Sequence, residues 1–270
     1  MMDSYVVAES TEKCHVVTTP SAGSRQLQRL LMLMLPLCTA ASRLQGGQDL
    51  LKWLRTQPHA SVGPVRLGQS TIGEGVGIFL TKDVHENEVL FEIPSAVCIS
   101  FERAISDQDV GDNLAALAEK AGGGGSTVAL AGYLAKSWLC GGSEFEPYLN
   151  VLPSRGAQTH VLWWTDAEVA RSLSGAALDD AVGLREEVSL ATRVLQQILT
   201  PAVRAAALSR GDVATVFGCD AAIAEAVTRA FVCILSRSFS YDFSAAPSSD
   251  SVANGAGEET RQAQNDDDDD

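Results

Sequence analysis

Gly73-Glu74-Gly75-Val76-Gly77-Ile78-Phe79-Leu80 opens the stretch that decides the fold, and Val89-Leu90-Phe91-Glu92-Ile93-Pro94 closes it. In the first run Val76, Ile78 and Leu80 recur every second residue. In the second run Val89, Phe91 and Ile93 do the same. A period of two places each trio on one face of a strand. Lys82-Asp83-Val84-His85-Glu86-Asn87-Glu88 forms a polar connector between the runs. Pro94 ends the second, because proline brings no N–H to a ladder. The pattern therefore predicts a β-hairpin of 76–81 against 89–93.

The glycines at the head of this stretch resemble a nucleotide loop only superficially. A dinucleotide fingerprint needs G-x-G-x-x-G between a strand and a helix. Here Ile78 stands where the third glycine would be, and a strand follows instead of a helix. No helix N-terminus then faces a pyrophosphate. A Walker loop is also absent, since no G-K-[ST] occurs there. Alternating glycines leave one side of a β-edge bare, which lets a flat ligand or another chain approach the backbone. A bulge or tight bend would use the same residues, and geometry alone leaves both readings open.

Working outward, Leu44 to Gln57 reads as a helix with Leu50, Leu51 and Leu54 on one stripe, stopped by Pro58. The pattern turns to period two from Val62 and becomes helical again after Pro94 for about 140 residues. Leu130, Leu134 and Trp138 recur every fourth residue, and Gly122 to Gly125 reads as a flexible break before them. Thr165-Asp166-Ala167-Glu168 is a capping box. Leu178 to Leu199 suits a long helix that ends near Pro201. Ile223, Val227, Phe231 and Leu235 mark another, running into Ser236-Arg237-Ser238-Phe239. Leu130, Leu134, Trp138, Tyr148, Leu152 and Trp163 are expected to form one buried cluster. Strands first and helices after predict an α+β fold.

Composition excludes several functions. The chain of 270 residues is 46% apolar, with a formal charge of −14. From Ser244 to Asp270 eight acids face the single base Arg261, a balance of −7. That tail has no apolar periodicity and reads as disordered. The remainder is mildly acidic and offers no phosphate-binding surface, so nucleic acid is not expected as a direct ligand. Cys14, Cys38, Cys98, Cys140, Cys219 and Cys233 are scattered without a C-x-x-C, which argues against a metal site and a disulfide framework. Leu30 to Ala41 is apolar but too short to span a bilayer. It suits either the apolar core of an organelle or secretory targeting segment or an N-terminal helix. Without targeting, a cytoplasmic or nuclear location is favoured.

The hairpin blocks resemble the opening of SET-domain protein methyltransferases. The nearest subgroup contains the Rubisco large-subunit lysine methyltransferase and the actin-histidine methyltransferase. Ser143-Glu144-Phe145-Glu146-Pro147-Tyr148-Leu149-Asn150-Val151-Leu152-Pro153 is similar to that subgroup's helical-insert motif. Trp163-Trp164-Thr165-Asp166-Ala167-Glu168 resembles the step after it, and Ser236-Arg237-Ser238-Phe239 the end of the insert. Four blocks in order, over about 50–241, carry the resemblance. It implies the first part of a SET domain (46–110) and a helical insert with the Ser-Arg-x-Phe segment (111–241), lying between the N-terminal extension or targeting segment (1–45) and the acidic tail (244–270).

The resemblance further implies S-adenosyl-L-methionine as cofactor and a protein substrate methylated on lysine or histidine. Glu74, Gly75 and Val76 match the segment that lines the cofactor. Arg237 matches the arginine near the cofactor carboxylate, and a bidentate guanidinium suits a carboxylate. Where the Rubisco-modifying enzyme has a further basic contact, this chain has Tyr241. The family continues into strands bearing an Asn-His pair and a catalytic tyrosine. No Asn-His dipeptide occurs here, and Tyr241 is the last tyrosine. The expectation is therefore an incomplete, inactive SET domain with no catalytic residue assigned. A non-catalytic interaction module built on the helical insert is the alternative.

Overall fold

The computed structural model describes residues 42–72, 75–157 and 159–238, together with the backbone of two short paired strands, β1 (Ser4–Val7) and β2 (His15–Thr18). The backbone falls into two units, Met1–Ser236 and Arg237–Asp270. Leu30 to Ala41 and Ser244 to Asp270 lie outside the described residues.

The fold is α+β, rich in helix. A helix over 42–56 (α1) leads into four short strands: β3 (Ser61–Val62), β4 (Val65–Gln69), β5 (Val76–Leu80) and β6 (Phe91–Glu92). Strand pairing departs from the pattern-based expectation. β5 pairs antiparallel with β4, from Val65 opposite Leu80 to Gln69 opposite Val76. The 89–93 run supplies only β6, which pairs with β3. The connector 82–88 closes a turn of its own, with Glu88 N–H donating to His85 O at 3.1 Å, but its flanks do not pair with each other. The tighter link from Gln69 to Val76 closes instead, with Ser70 N–H donating to Gly75 O at 2.9 Å. Ser70 Oγ also accepts from Ile72 N–H and donates to Ile72 O.

Helices follow: α2 (Phe101–Ile105), α3 (Gly111–Ala121), α4 (Gly125–Cys140), α5 (Glu146–Leu149), α6 (Asp166–Ser172), α7 (Ala176–Ser209), α8 (Val213–Phe217) and α9 (Cys219–Arg237). α4 packs against α2, α3 and α7 and is buried nearly all round. Its small residues make this possible. A Cβ on Gly132 would lie 2.7 Å from Leu195 and 2.9 Å from Leu114, so glycine admits both neighbouring helices. The glycine run is not a break either: Gly122–Gly124 is a 3-10 turn and Gly125 begins α4, pressed against the Ala118 backbone where no side chain fits.

Pro201 lies inside α7 and does not end it. The buried stripe Leu195, Leu199, Val203 and Ala207 runs straight past it, each residue fully buried. Burying Val203 and Ala207 offsets part of the ~3 kcal/mol that an interior proline costs. Pro201 and Gln197 face solvent, so water reaches the carbonyl that proline cannot satisfy. The capping box of α6 forms as read: Thr165 Oγ1 accepts from Glu168 N–H, and Glu168 accepts from Thr165 N–H. In the predicted cluster, Leu134 and Leu152 are core and Leu130, Trp138 and Tyr148 pack against it. Trp163 stands apart, half-buried with the Arg155 guanidinium 5.5 Å above its ring, and Leu162 takes its place. Among the described residues no helix is long and apolar enough to cross a membrane.

Candidate functional site

The turn into β5 follows from its glycines. Gly75 adopts φ 115, a region that side chains avoid, and a Cβ there would meet nothing within 4 Å. Its backbone is thus open to approach, and Val76 beside it is 36% exposed. Glu74 lies outside the described residues. Gly77 is not bare. It pairs with Gly68 across the hairpin, and the Phe79 ring lies over both, 3.2–3.3 Å from where their Cβ atoms would be. The Arg66 guanidinium stacks on that ring at 4.8 Å. The open backbone is therefore confined to Gly75 and the start of β5, because an aromatic side chain two residues on fills the gap that paired glycines leave.

Arg237 is the last residue of α9 and exposed, a position where the helix dipole favours a cation. Gly75 and Val76 adjoin one another. Arg237 belongs to the other unit.

The strongest sequence block, 143–153, is a structural junction. Phe145 is fully buried and meets Trp53 of α1 edge to face, with centroids 6.1 Å apart. Arg103 of α2 lies 5.2 Å over the same ring, pairs with Glu144 at 2.9 Å and donates to Ala96 O. Trp138 of α4 donates from Nε1 to Leu149 O at 3.3 Å. Arg229 of α9 reaches across the chain, donating from Nε to Pro153 O at 2.9 Å and from Nη2 to Leu152 O at 2.7 Å. Its guanidinium sits 4.0 Å above Trp138. Burial lowers the Arg229 pKa from its ordinary value, and the fork's carbonyl and ring contacts are what hold the charge there. Arg103 and Arg229 escaped the sequence reading. An arginine flanked by Ala226, Val227, Ala230 and Phe231 on an apolar helix was the available signal.

Other polar groups are also structural. Lys136 of α4 bridges Asp107, at 2.7 and 2.8 Å, and Asp109. Burial opposes its charge, but the hydrogen bonds it donates to both carboxylates, with their negative charge, win and raise its pKa. Arg210 donates to Leu139 O and Cys140 O, closing the C-terminus of α4. His160 Nδ1 accepts from Leu162 N–H, and burial lowers its pKa. Cys98, Cys140 and Cys219 are free thiols. Among the described residues no cluster of His, Cys, Asp and Glu could hold a metal ion. A shallow groove of about 780 Å³ runs between α6 and α7, lined by Val169, Leu178, Val182, Arg185 and Leu190. None of the residues expected to hold cofactor lines it.

No family model matches the chain. The chain is similar to the [fructose-bisphosphate aldolase]-lysine N-methyltransferase, chloroplastic, of Arabidopsis thaliana, with 26% identity over 171 residues. The match covers 63% of this chain and 33% of that protein. The chain thus spans about a third of the length of the curated relative it matches.

Proposed function

We propose that this chain is part of a SET-type, S-adenosylmethionine-dependent protein N-methyltransferase acting on lysine or histidine side chains of a protein. One observation carries the reading: a lysine methyltransferase is similar over 171 residues. The order of the four sequence blocks agrees with it. On this reading 46–110 is the first part of the SET domain, 111–241 its helical insert with the Ser-Arg-x-Phe segment, 1–45 an extension or targeting segment, and 244–270 a disordered tail.

The open backbone at Gly75 suits a ligand that needs close approach, and Val76 offers exposed backbone beside it. Gly75 and Val76 would hold the cofactor with backbone groups, and Glu74 would accept hydrogen bonds from its cationic or polyol groups. Arg237 would hold its carboxylate through a bidentate fork. S-adenosylmethionine supplies an electrophilic methyl on a sulfonium. The protein's part is to position a neutral amine and exclude water. Burial of Phe145 and the Arg229 clasp make 143–153 a rigid support for that task, not a participant in it. Location in the cytoplasm, nucleus or an organelle is compatible with this activity.

The 270 residues contain no Asn-His pair, so this chain alone forms one wall of the cofactor site. Each missing adenine hydrogen bond is worth about 0.5–1.5 kcal/mol. Several of them take most of the ~8 kcal/mol of a micromolar complex. Calorimetry on the full chain should therefore find S-adenosylmethionine binding at ~1 mM or weaker. Supplying the C-terminal SET strands of an intact relative in trans should tighten it, and Arg237→Ala should then abolish it. Micromolar binding to the chain alone would refute the half-site. Failure of the added strands to produce any binding would refute the methyltransferase reading.

A further inference from the structure

A second hollow adjoins the groove between α6 and α7, on the α9 side of a ridge formed by Arg185, Ser189 and Arg193. This cleft, about 310 Å³, runs between α7 and α9. Its polar lining is Arg185, Ser189, Thr192, Arg193 and Thr228, and the remainder is apolar. Among the described residues no carboxylate lines it, in a chain with 34 acids against 20 bases. Glu186, Glu187 and Asp166 line the α6 side instead.

Helical spacing explains the arrangement. Arg185, Ser189 and Arg193 stand four residues apart and follow one another along one face of α7. Arg193 leans back one turn, and its Nη1 donates to Ser189 Oγ at 3.0 Å. Two like charges therefore approach one another with only a hydroxyl between them. Arg185 pairs with Asp166 at 2.6 Å, but the Asp166 side chain is 98% exposed. Such a pair contributes little, and a guanidinium carries several N–H donors, so Arg185 keeps some to give. Thr192 and Thr228 commit their protons to Val188 O and Ala224 O. The donors left for a ligand are the two guanidinium forks and the Ser189 hydroxyl.

We infer that this cleft binds a phosphate group, free or carried on a phosphorylated side chain. One guanidinium fork satisfies a planar carboxylate. Two forks and a hydroxyl suit the several oxygens of a tetrahedral phosphate, whose charge also relieves the repulsion between the arginines. A single cleft is not the basic surface that a nucleic acid needs. Asp166 competes with the phosphate for Arg185. The inference uses no residue of the expected cofactor site and stands apart from the methyltransferase reading.

The test adds the full chain to inorganic phosphate and follows the phosphorus NMR signal at fixed pH and ionic strength. A saturable shift in the millimolar range should appear, and an equal concentration of acetate should not abolish it. Arg193→Gln, at an exposed position, should weaken binding about tenfold or more with circular dichroism unchanged, since it removes a charged donor. Arg185→Gln should do the same. Asp166→Asn should tighten binding by removing the rival carboxylate. N-acetyl phosphoserine amide distinguishes the source: tighter binding than inorganic phosphate assigns the cleft to a phosphorylated side chain, and equal or weaker binding assigns it to free phosphate. The absence of any saturable shift would overturn the inference. So would a shift that R193Q and R185Q leave intact, which marks an ion bound elsewhere, or one that D166N fails to tighten.

Discussion

Replacing Arg229 with Met removes the clasp on residues 152–153 while leaving an apolar stem to pack against Trp138. Two hydrogen bonds from a charged donor are lost, at 2.7 and 2.9 Å. Such bonds contribute about 1.5–3 kcal/mol each. The stacking on Trp138 adds about 0.5–2 kcal/mol. Against this, removing the guanidinium recovers its burial cost, which its lowered pKa reflects. The net loss should be about 3–4 kcal/mol. Arg229→Lys keeps the charge but not the fork, so it should lose about 1–2 kcal/mol. Urea unfolding of the full chain, followed by tryptophan fluorescence, reads both values. A double cycle with Trp138→Phe should show a coupling of about 0.5–2 kcal/mol, because the two side chains touch. A loss below about 0.5 kcal/mol for Arg229→Met, the range of a bare surface site, would mean that the clasp does not hold the 143–153 segment.

Three other outcomes follow from named contacts. Lys136→Met should cost about 2–4 kcal/mol in the same assay, since it strips the half-buried Asp107 of its cation but leaves that carboxylate its bonds to Asp109 and Val110 N–H. Pro201→Ala should stabilise the chain by about 1–2 kcal/mol, because the helical hydrogen bond it restores at a solvent-facing site outweighs the unfolded-state freedom it gives back; a destabilised variant would show that α7 depends on the proline. His160 has a folded pKa below its unfolded value, so its contribution is present above about pH 6.5 and is lost as pH falls through the folded pKa. The stability gap between wild type and His160→Asn, which caps without titrating, should shift in favour of the variant between about pH 7 and 5; an unchanged gap would place the imidazole elsewhere than on Leu162 N–H.

The sequence by itself determined the elements governed by neighbours a few residues away. The capping box at Thr165 and Glu168, the α1 stripe ended by Pro58 and the four-residue spacing of α4 are local, because their hydrogen bonds and faces close within a turn or two. The order of the four sequence blocks, which carries the resemblance to SET-domain methyltransferases, was also legible without the structure. What periodicity could not decide was partnership. An alternating run states that a strand exists and not which strand completes it, so β5 was matched with 89–93 when the short turn at Ser70–Gly75 gave it to β4. Pro201 reads as a stop by its missing N–H, but only tertiary packing of Leu199, Val203 and Ala207 shows that the helix continues. Arg229 likewise acts on carbonyls of a distant segment, at 76 residues' separation in the case of Pro153, and Arg103 on the Phe145 ring and Glu144. Such contacts have no spacing to betray them, because the fold and not the chain brings them together.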